Sequence, residues 1–236
     1  MRSLFLFLLL GICAHLSIAQ KSDASDNAIP NVVDSLYRED QFYIGLSFNL
    51  ITNQPKSFSQ NGFSGGLHAG FIRDMPINKR RNVSIGVGLG VSTNTYNSNL
   101  FIGQDVNEQS IYRILDSSID VDRNRFNTNL IEMPIQFRWR TSTPTEYTFW
   151  RIYTGIKLAY IYHYKATFKS ESLNASQSNI PEVNRFQYAA TLSLGHGSFN
   201  AFVQYNLSTL FNEDAFTDIE QVNLQPIKFG IEFYIL

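Results

Sequence analysis

Residues 83 to 92 alternate without a break: Val83, Ile85, Val87, Leu89 and Val91 in one phase, Ser84, Gly86, Gly88, Gly90 and Ser92 in the other. Successive side chains of a strand point to opposite sides, so a period of two marks a strand with two unlike faces. The same period recurs to the end of the chain. Residues 42 to 50 set Phe42, Ile44, Leu46, Phe48 and Leu50 against Tyr43, Gly45, Ser47 and Asn49. Phe63, Leu67, Ala69 and Phe71 oppose Ser64, Gly66, His68 and Gly70. Ile131, Met133, Ile135, Phe137 and Trp139 oppose Glu132, Pro134, Gln136, Arg138 and Arg140. A fifth segment runs from Ile152 to Tyr164, a sixth from Phe186 to Leu194, a seventh from Phe199 to Leu207 and an eighth from Ile227 to Ile235. Each approaches the ~9–11 residues that a tilted membrane strand needs.

Which face meets water decides the architecture. The apolar phases hold no Asp, Glu, Lys or Arg, and the opposite phases are dominated by Gly, Ser, Asn and Gln. The water-facing surface of a soluble barrel, oily inside like a lipocalin, would carry many Lys and Glu. Small polar residues suit instead the narrow interior of an eight-stranded barrel, and Gly86, Gly88 and Gly90 leave room there for larger neighbours. The pattern therefore predicts an all-β fold, an eight-stranded antiparallel transmembrane β-barrel with its oily side in hydrocarbon. A mean hydropathy of -0.14 fits, since alternation hides the apolar half from an average.

The connections agree. Residues 74–82, 141–149 and 196–198 form short links, and 52–62, 97–125, 165–184 and 208–225 form long ones. Short and long links fall on opposite sides, as periplasmic turns and extracellular loops do in outer-membrane barrels. Trp139 and Trp150 near the short-turn ends, and Tyr160, Tyr162 and Tyr164 near a long-loop end, are placed as interfacial girdles. A formal net charge of -1 gives no general pull toward nucleic acid.

The N-terminus reads as an export signal: Arg2, an apolar run from Leu4 to Cys13, then Ser17-Ile18-Ala19 before Gln20. Cleavage between Ala19 and Gln20 is expected, which leaves a mature chain without cysteine. The apolar run is shorter than the roughly 20 residues that span a bilayer. The expected organisation is a signal peptide over 1–19, a polar periplasmic leader over 20–40 and an outer-membrane β-barrel domain over 41–236.

Two stretches carry a family resemblance. Lys228, Gly230, Phe233 and Ile235 near the chain end are similar to the signal read by the outer-membrane assembly machinery, with Leu236 as one extra residue. Residues 130 to 137, LIEMPIQF, resemble the Leu-Glu-Ile-Pro-Leu motif of small Bacteroidota outer-membrane barrels, the porin-like and PorT-like family. The resemblance covers the chain from about Gln41 to Leu236. The expected role is that of a non-enzymatic outer-membrane component, structural or accessory to an envelope assembly. Type IX secretion, in which PorT is implicated, enters by this resemblance alone.

Within the expected lumen phase, Glu132, Arg138, Lys157, Lys228 and Glu232 would form an ion-pair network that plugs the barrel, since an unpaired buried charge is costly. A narrow pore for small solutes is the alternative. A rim-site enzyme comes third: His68 and His163 are expected to face the lumen, but no Ser or Asp motif accompanies them. His196 sits in a tight turn. No Cys or His spacing matches a metal site, and no cofactor is expected. Leu100-Phe101-Ile102, Ile111-Tyr112 and Leu210-Phe211 are apolar pieces of the long loops. Exposed, they would dock an envelope protein partner; packed together, they would form a cap. The remaining expected partners are outer-membrane lipid and, during biogenesis, the assembly machinery.

Overall fold

The structure, a computed structural model, describes residues 38–116, 119–141 and 149–235. The expected cleavage site at Ala19 and Gln20, and most of the leader, lie outside the described residues, as does Leu236. Eight long strands make one closed sheet: β1 (Gln41–Thr52), β2 (Gly65–Pro76), β3 (Val83–Asn97), β6 (Arg123–Arg140), β7 (Trp150–Lys169), β9 (Phe186–His196), β10 (Phe199–Asn206) and β11 (Gln225–Ile235). Neighbours run β6-β3-β2-β1-β11-β10-β9-β7, and pairing of β6 with β7 closes the ring. Every pairing among them is antiparallel, and β1 meets β11 from Phe42↔Ile235 to Thr52↔Gln225. Three shorter strands lie in the long loops. β4 (Leu100–Gln104) and β5 (Ser110–Ile114) form a hairpin of their own, and β8 (Asn174–Gln177) adds to the outer end of β7.

The alternation sorts as the sequence predicts over most of the wall. Phe42, Leu89 and Ile156 are 62%, 64% and 46% exposed, while their strand neighbours Tyr43, Gly90 and Lys157 are buried in the lumen. A closed sheet leaves no unpaired edge, the condition for a β-structure to stand in hydrocarbon. Trp139, Trp150, Tyr160 and Tyr162 face outward, as a girdle requires.

Three expectations need correction. First, Asp74 does not open a turn. β2 continues to Pro76, and the turn is closed by Ile77 N donating to Val83 O at 3.0 Å. Second, β6 and β7 reach 18 and 20 residues, far longer than a membrane crossing, and rise beyond the wall. Third, the phase of β7 inverts. Asn129 pairs with His163 but Leu130 pairs with Ile161, so Tyr162 is an extra residue, a β-bulge. Beyond it Tyr164, Ala166 and Phe168 are buried and His163 is exposed. His163 therefore leaves the lumen, and Tyr164 leaves the girdle.

The bulge feeds a cap. Tyr164 joins Ile102, Tyr112, Phe126, Leu210 and Phe211 in an apolar core above the barrel. Phe211 packs against Phe126 and Tyr112 with ring centroids 5.3 and 5.5 Å away. Tyr164 Oη donates to Ile180 O at 2.9 Å. The apolar loop pieces thus bury most of their side chains in one another rather than presenting them to a partner: Leu100, Ile102, Tyr112, Leu210 and Phe211 are all buried.

Candidate functional site: the charged lumen

Beneath the cap the lumen is filled in two tiers. The middle tier holds four of the five predicted charges, in two groups. Lys157 Nζ lies 3.2 Å from Glu132 Oε2, and Ser92 Oγ donates to Glu132 Oε1 at 2.7 Å. Lys228 Nζ donates to Asn94 Oδ1 at 2.8 Å. On the other side, Glu232 Oε1 lies 3.0 Å from His68 Nε2, and Tyr234 Oη donates to Glu232 Oε2 at 2.8 Å. Both carboxylates and both ammoniums are buried. Glycine makes the space: a Cβ on Gly70 would meet Tyr43 Oη at 2.5 Å, and one on Gly86 would meet Arg138 Cδ at 2.7 Å.

Arg138 stands apart from the other four. It belongs to a floor at the short-turn end, built on Asp74. Arg138 Nη1 donates to Asp74 Oδ1 and Arg140 Nη2 to Asp74 Oδ2, both at 2.8 Å. Ser84 Oγ donates to Asp74 Oδ1 at 2.6 Å. The Arg138 guanidinium also bonds Gln41 Oε1 and lies 4.2 Å above the Tyr153 ring. Arg151 stacks 4.4 Å from the Phe149 ring and donates to the Gly197 carbonyl. Glu39 closes the floor from below, with Oε2 3.9 Å from both Arg140 Nη1 and Arg151 Nη2. Burial raises the Glu39 carboxyl above its ordinary value, and the arginines only partly offset that rise.

Sequence reasoning missed Asp74, Arg151 and Glu39 and gave Arg140 no role. Arg140 lies one lumen step beyond Arg138 on β6, and Arg151 one lumen step before Tyr153 on β7. Asp74 lies likewise on β2, two residues past Ile72. Nothing local marks Glu39, which precedes β1.

The tiers leave little free volume. Under the cap, between Tyr96, Glu132, Lys157 and Lys228, a cavity gives about 10 Å³ to the centre of a water, roughly the room that one water needs. Among the described residues no group of three His, Cys, Asp or Glu side chains could hold a metal.

A closed antiparallel barrel with a lipid-facing apolar wall, a polar plugged lumen and long loops on one side describes an outer-membrane protein. The family model for the outer membrane protein beta-barrel domain matches residues 18–218. The chain belongs to that family. Its place is the cell outer membrane, with the wall in lipid. The match ends before β11, the strand that joins β1 and completes the cylinder. No curated protein matches the chain. Among solved structures it is similar to Ail, the attachment invasion locus protein of Yersinia pestis, at 15% identity over 85% of this chain and 100% of that one, with a TM-score of 0.39. A second structure of Ail, in complex with the heparin analogue sucrose octasulfate, gives 11% identity, the same coverages and a TM-score of 0.32.

In this frame Phe233 and Ile235 of the expected assembly signal face lipid, 41% and 59% exposed. Lys228 points into the lumen, and Gly230 lets Phe202 lie against the backbone, where a Cβ would meet its ring at 2.5 Å. His68 faces the lumen beside Glu232, whereas His163 stands outside with Nδ1 3.3 Å from Asn129 Nδ2.

Proposed function

We propose that this protein is a non-enzymatic, non-conducting barrel of the outer membrane, serving as a structural or accessory member of an envelope assembly. The observation that carries the reading is the sealed lumen: paired charges fill the middle, the arginine floor closes one end and the apolar cap closes the other. A pore would need a continuous wet path, and the plugged tiers favour none. Type IX secretion is the assembly to test first, on the strength of the LIEMPIQF resemblance.

The export reading belongs to the same proposal. The signal peptide is removed between Ala19 and Gln20, residues 20–40 act as a periplasmic leader, and Lys228, Gly230, Phe233 and Ile235 address the chain to the assembly machinery. An envelope partner would meet the cap through its exposed apolar tips, Val106 at 99% and Ile219 at 89%, and not through its buried core.

Reconstitution in a planar bilayer tests the first claim. Neither the wild type nor Glu132→Ala is expected to produce conductance steps; steps from wild type would overturn the sealed-lumen reading. Crosslinking of the chain to its neighbours in intact cells tests the second. Recovery of one envelope protein is expected, and its recovery unchanged after Val106→Asp and Ile219→Asp would remove the cap from the contact.

A further inference from the structure

The lipid-facing wall is not evenly coated. Two rows of outward side chains cross it side by side. The lower row is Ile235, Phe42, Phe71 and Leu89, and the upper row is Ile44, Ala69, Val91 and Ile131. Ala69 is the one short side chain in this block. Its shortness leaves a groove of about 650 Å³, floored by the backbone at Gly70 and Gly90 and walled by Phe42, Phe71, Leu89 and Val91.

Below the groove, past Phe71, the rim is basic. One outward step below Phe71 on β2 is Arg73, whose side chain is 54% exposed and whose Nη1 lies 3.5 Å from Asp40 Oδ2. The turn from β2 to β3 then carries Lys79 and Arg80, both exposed and, among the described residues, without a carboxylate partner. One hairpin thus places Arg73, Lys79 and Arg80 at the membrane rim below an apolar groove at membrane depth. Short turns of outer-membrane barrels lie on the periplasmic side, so this rim meets the periplasmic leaflet.

We infer that the β2–β3 hairpin binds one glycerophospholipid of the periplasmic leaflet, an acyl chain in the groove over Ala69 and the phosphate at Arg73, Lys79 and Arg80. Guanidinium groups bond phosphate through paired N–H donors, and long basic side chains reach the headgroup level while their stems stay on apolar surface. Asp40 holds Arg73 against the wall and is paired with neither Lys79 nor Arg80. A free phosphate would make no use of the groove. A second copy docked by two-fold symmetry would bring its own basic hairpin against this one, which like-charge repulsion opposes.

The test uses the full chain extracted in mild detergent from membranes and stripped of loosely held lipid. Bound phospholipid is counted by native mass spectrometry, and folding is checked by heat-dependent gel migration. Wild type is expected to retain about one phospholipid per chain. Ala69→Trp, which fills the groove with an apolar side chain on a lipid-facing site, should lower retention by about tenfold, a loss of ~1.4 kcal/mol. Ala69→Phe serves the same end if tryptophan blocks folding. The triple change Arg73→Gln, Lys79→Gln and Arg80→Gln should abolish preference for phosphatidylglycerol over phosphatidylcholine when the protein is offered both in vesicles. Retention unchanged by both Ala69 variants would overturn the inference. So would a wild-type dimer that Ala69→Trp dissociates, which would assign the groove to a second copy.

Discussion

Asp74→Asn is the sharpest test of how the lumen is held together. The carboxylate is fully buried and accepts from two fully buried arginines at 2.8 Å and from Ser84 at 2.6 Å. The asparagine has the same shape, so no cavity confuses the outcome. Its amide offers one acceptor oxygen and one NH₂, so either Arg138 or Arg140 faces a donor; Arg138 loses its counter-charge and Arg140 keeps Glu39, 3.9 Å away. Removing one partner from a buried ion pair costs about 3–5 kcal/mol, two to four powers of ten in the folding equilibrium at ~1.4 kcal/mol per tenfold. The control is Ser84→Ala, which removes one neutral donor and should cost about 1 kcal/mol. A second control, Asp74→Asn with Arg138→Met and Arg140→Met, discards the stranded charges and should regain most of the loss. Urea unfolding in lipid vesicles reads all of these. Trp139 and Trp150 lie on the wall at floor level, so their fluorescence reports the region directly. The reasoning fails if Asp74→Asn costs no more than Ser84→Ala, or if the triple variant is weaker than Asp74→Asn alone.

Three further outcomes follow from the same geometry. Phe211→Ala removes a ring 1% exposed at the centre of the cap and should weaken the cap by about 3–5 kcal/mol; loop proteolysis should quicken while heat-dependent gel migration of the barrel stays unchanged. Deleting Tyr162 removes the bulge and joins inward Ile161 to outward His163, so Tyr164 and Phe168 stay inward and hydrogen-exchange protection over residues 164–168 should persist; its loss would count against Tyr162 being the extra residue. Glu39 has a folded value raised above its ordinary 4.5, so the folded state holds the proton more tightly than the unfolded state. Its contribution is full below 4.5 and is lost as pH rises through the folded value. Wild type should therefore lose stability relative to Glu39→Gln as pH rises from acid to neutral, and parallel curves would count against the burial of that carboxyl.

Much of the barrel was legible because alternation is a local property. Val83 to Ser92 needs no partner to declare which side chains share a face, and closure follows from the medium, since hydrocarbon tolerates no unpaired edge. The pairing within the lumen is another matter. Glu132 and Lys157 are drawn together by the β6–β7 register, Glu232 and His68 by strands at opposite ends of the chain. Periodicity places each of these groups in the lumen without saying at what height it meets another. Periodicity therefore groups Arg138 with Glu132, six residues away on the same strand, whereas its partner Asp74 hangs from β2. The floor also depends on where strands end, which is the least local fact about them: Asp74 reads as turn punctuation beside Met75-Pro76 until the register shows it facing Gly86.

The bulge at Tyr162 shows why one residue can escape such a reading. From Tyr160 to Tyr164 the sequence runs Tyr-Ile-Tyr-His-Tyr, and a tyrosine suits either face, ring against apolar neighbours and hydroxyl toward water or a carbonyl. Strict alternation puts Tyr160, Tyr162 and Tyr164 together on the lipid side, and nothing in those five residues objects. The objection comes from Ala166 and Phe168, which belong with the cap, and from Lys165 and Lys169, which do not belong in its apolar core. A one-residue slip exchanges the two faces of everything beyond it. Placing the slip at Tyr162 sends Ala166 and Phe168 inward and both lysines out. The chain above the membrane thus follows the opposite phase from the chain within it because the two lengths have different insides: a polar lumen below and an apolar core above.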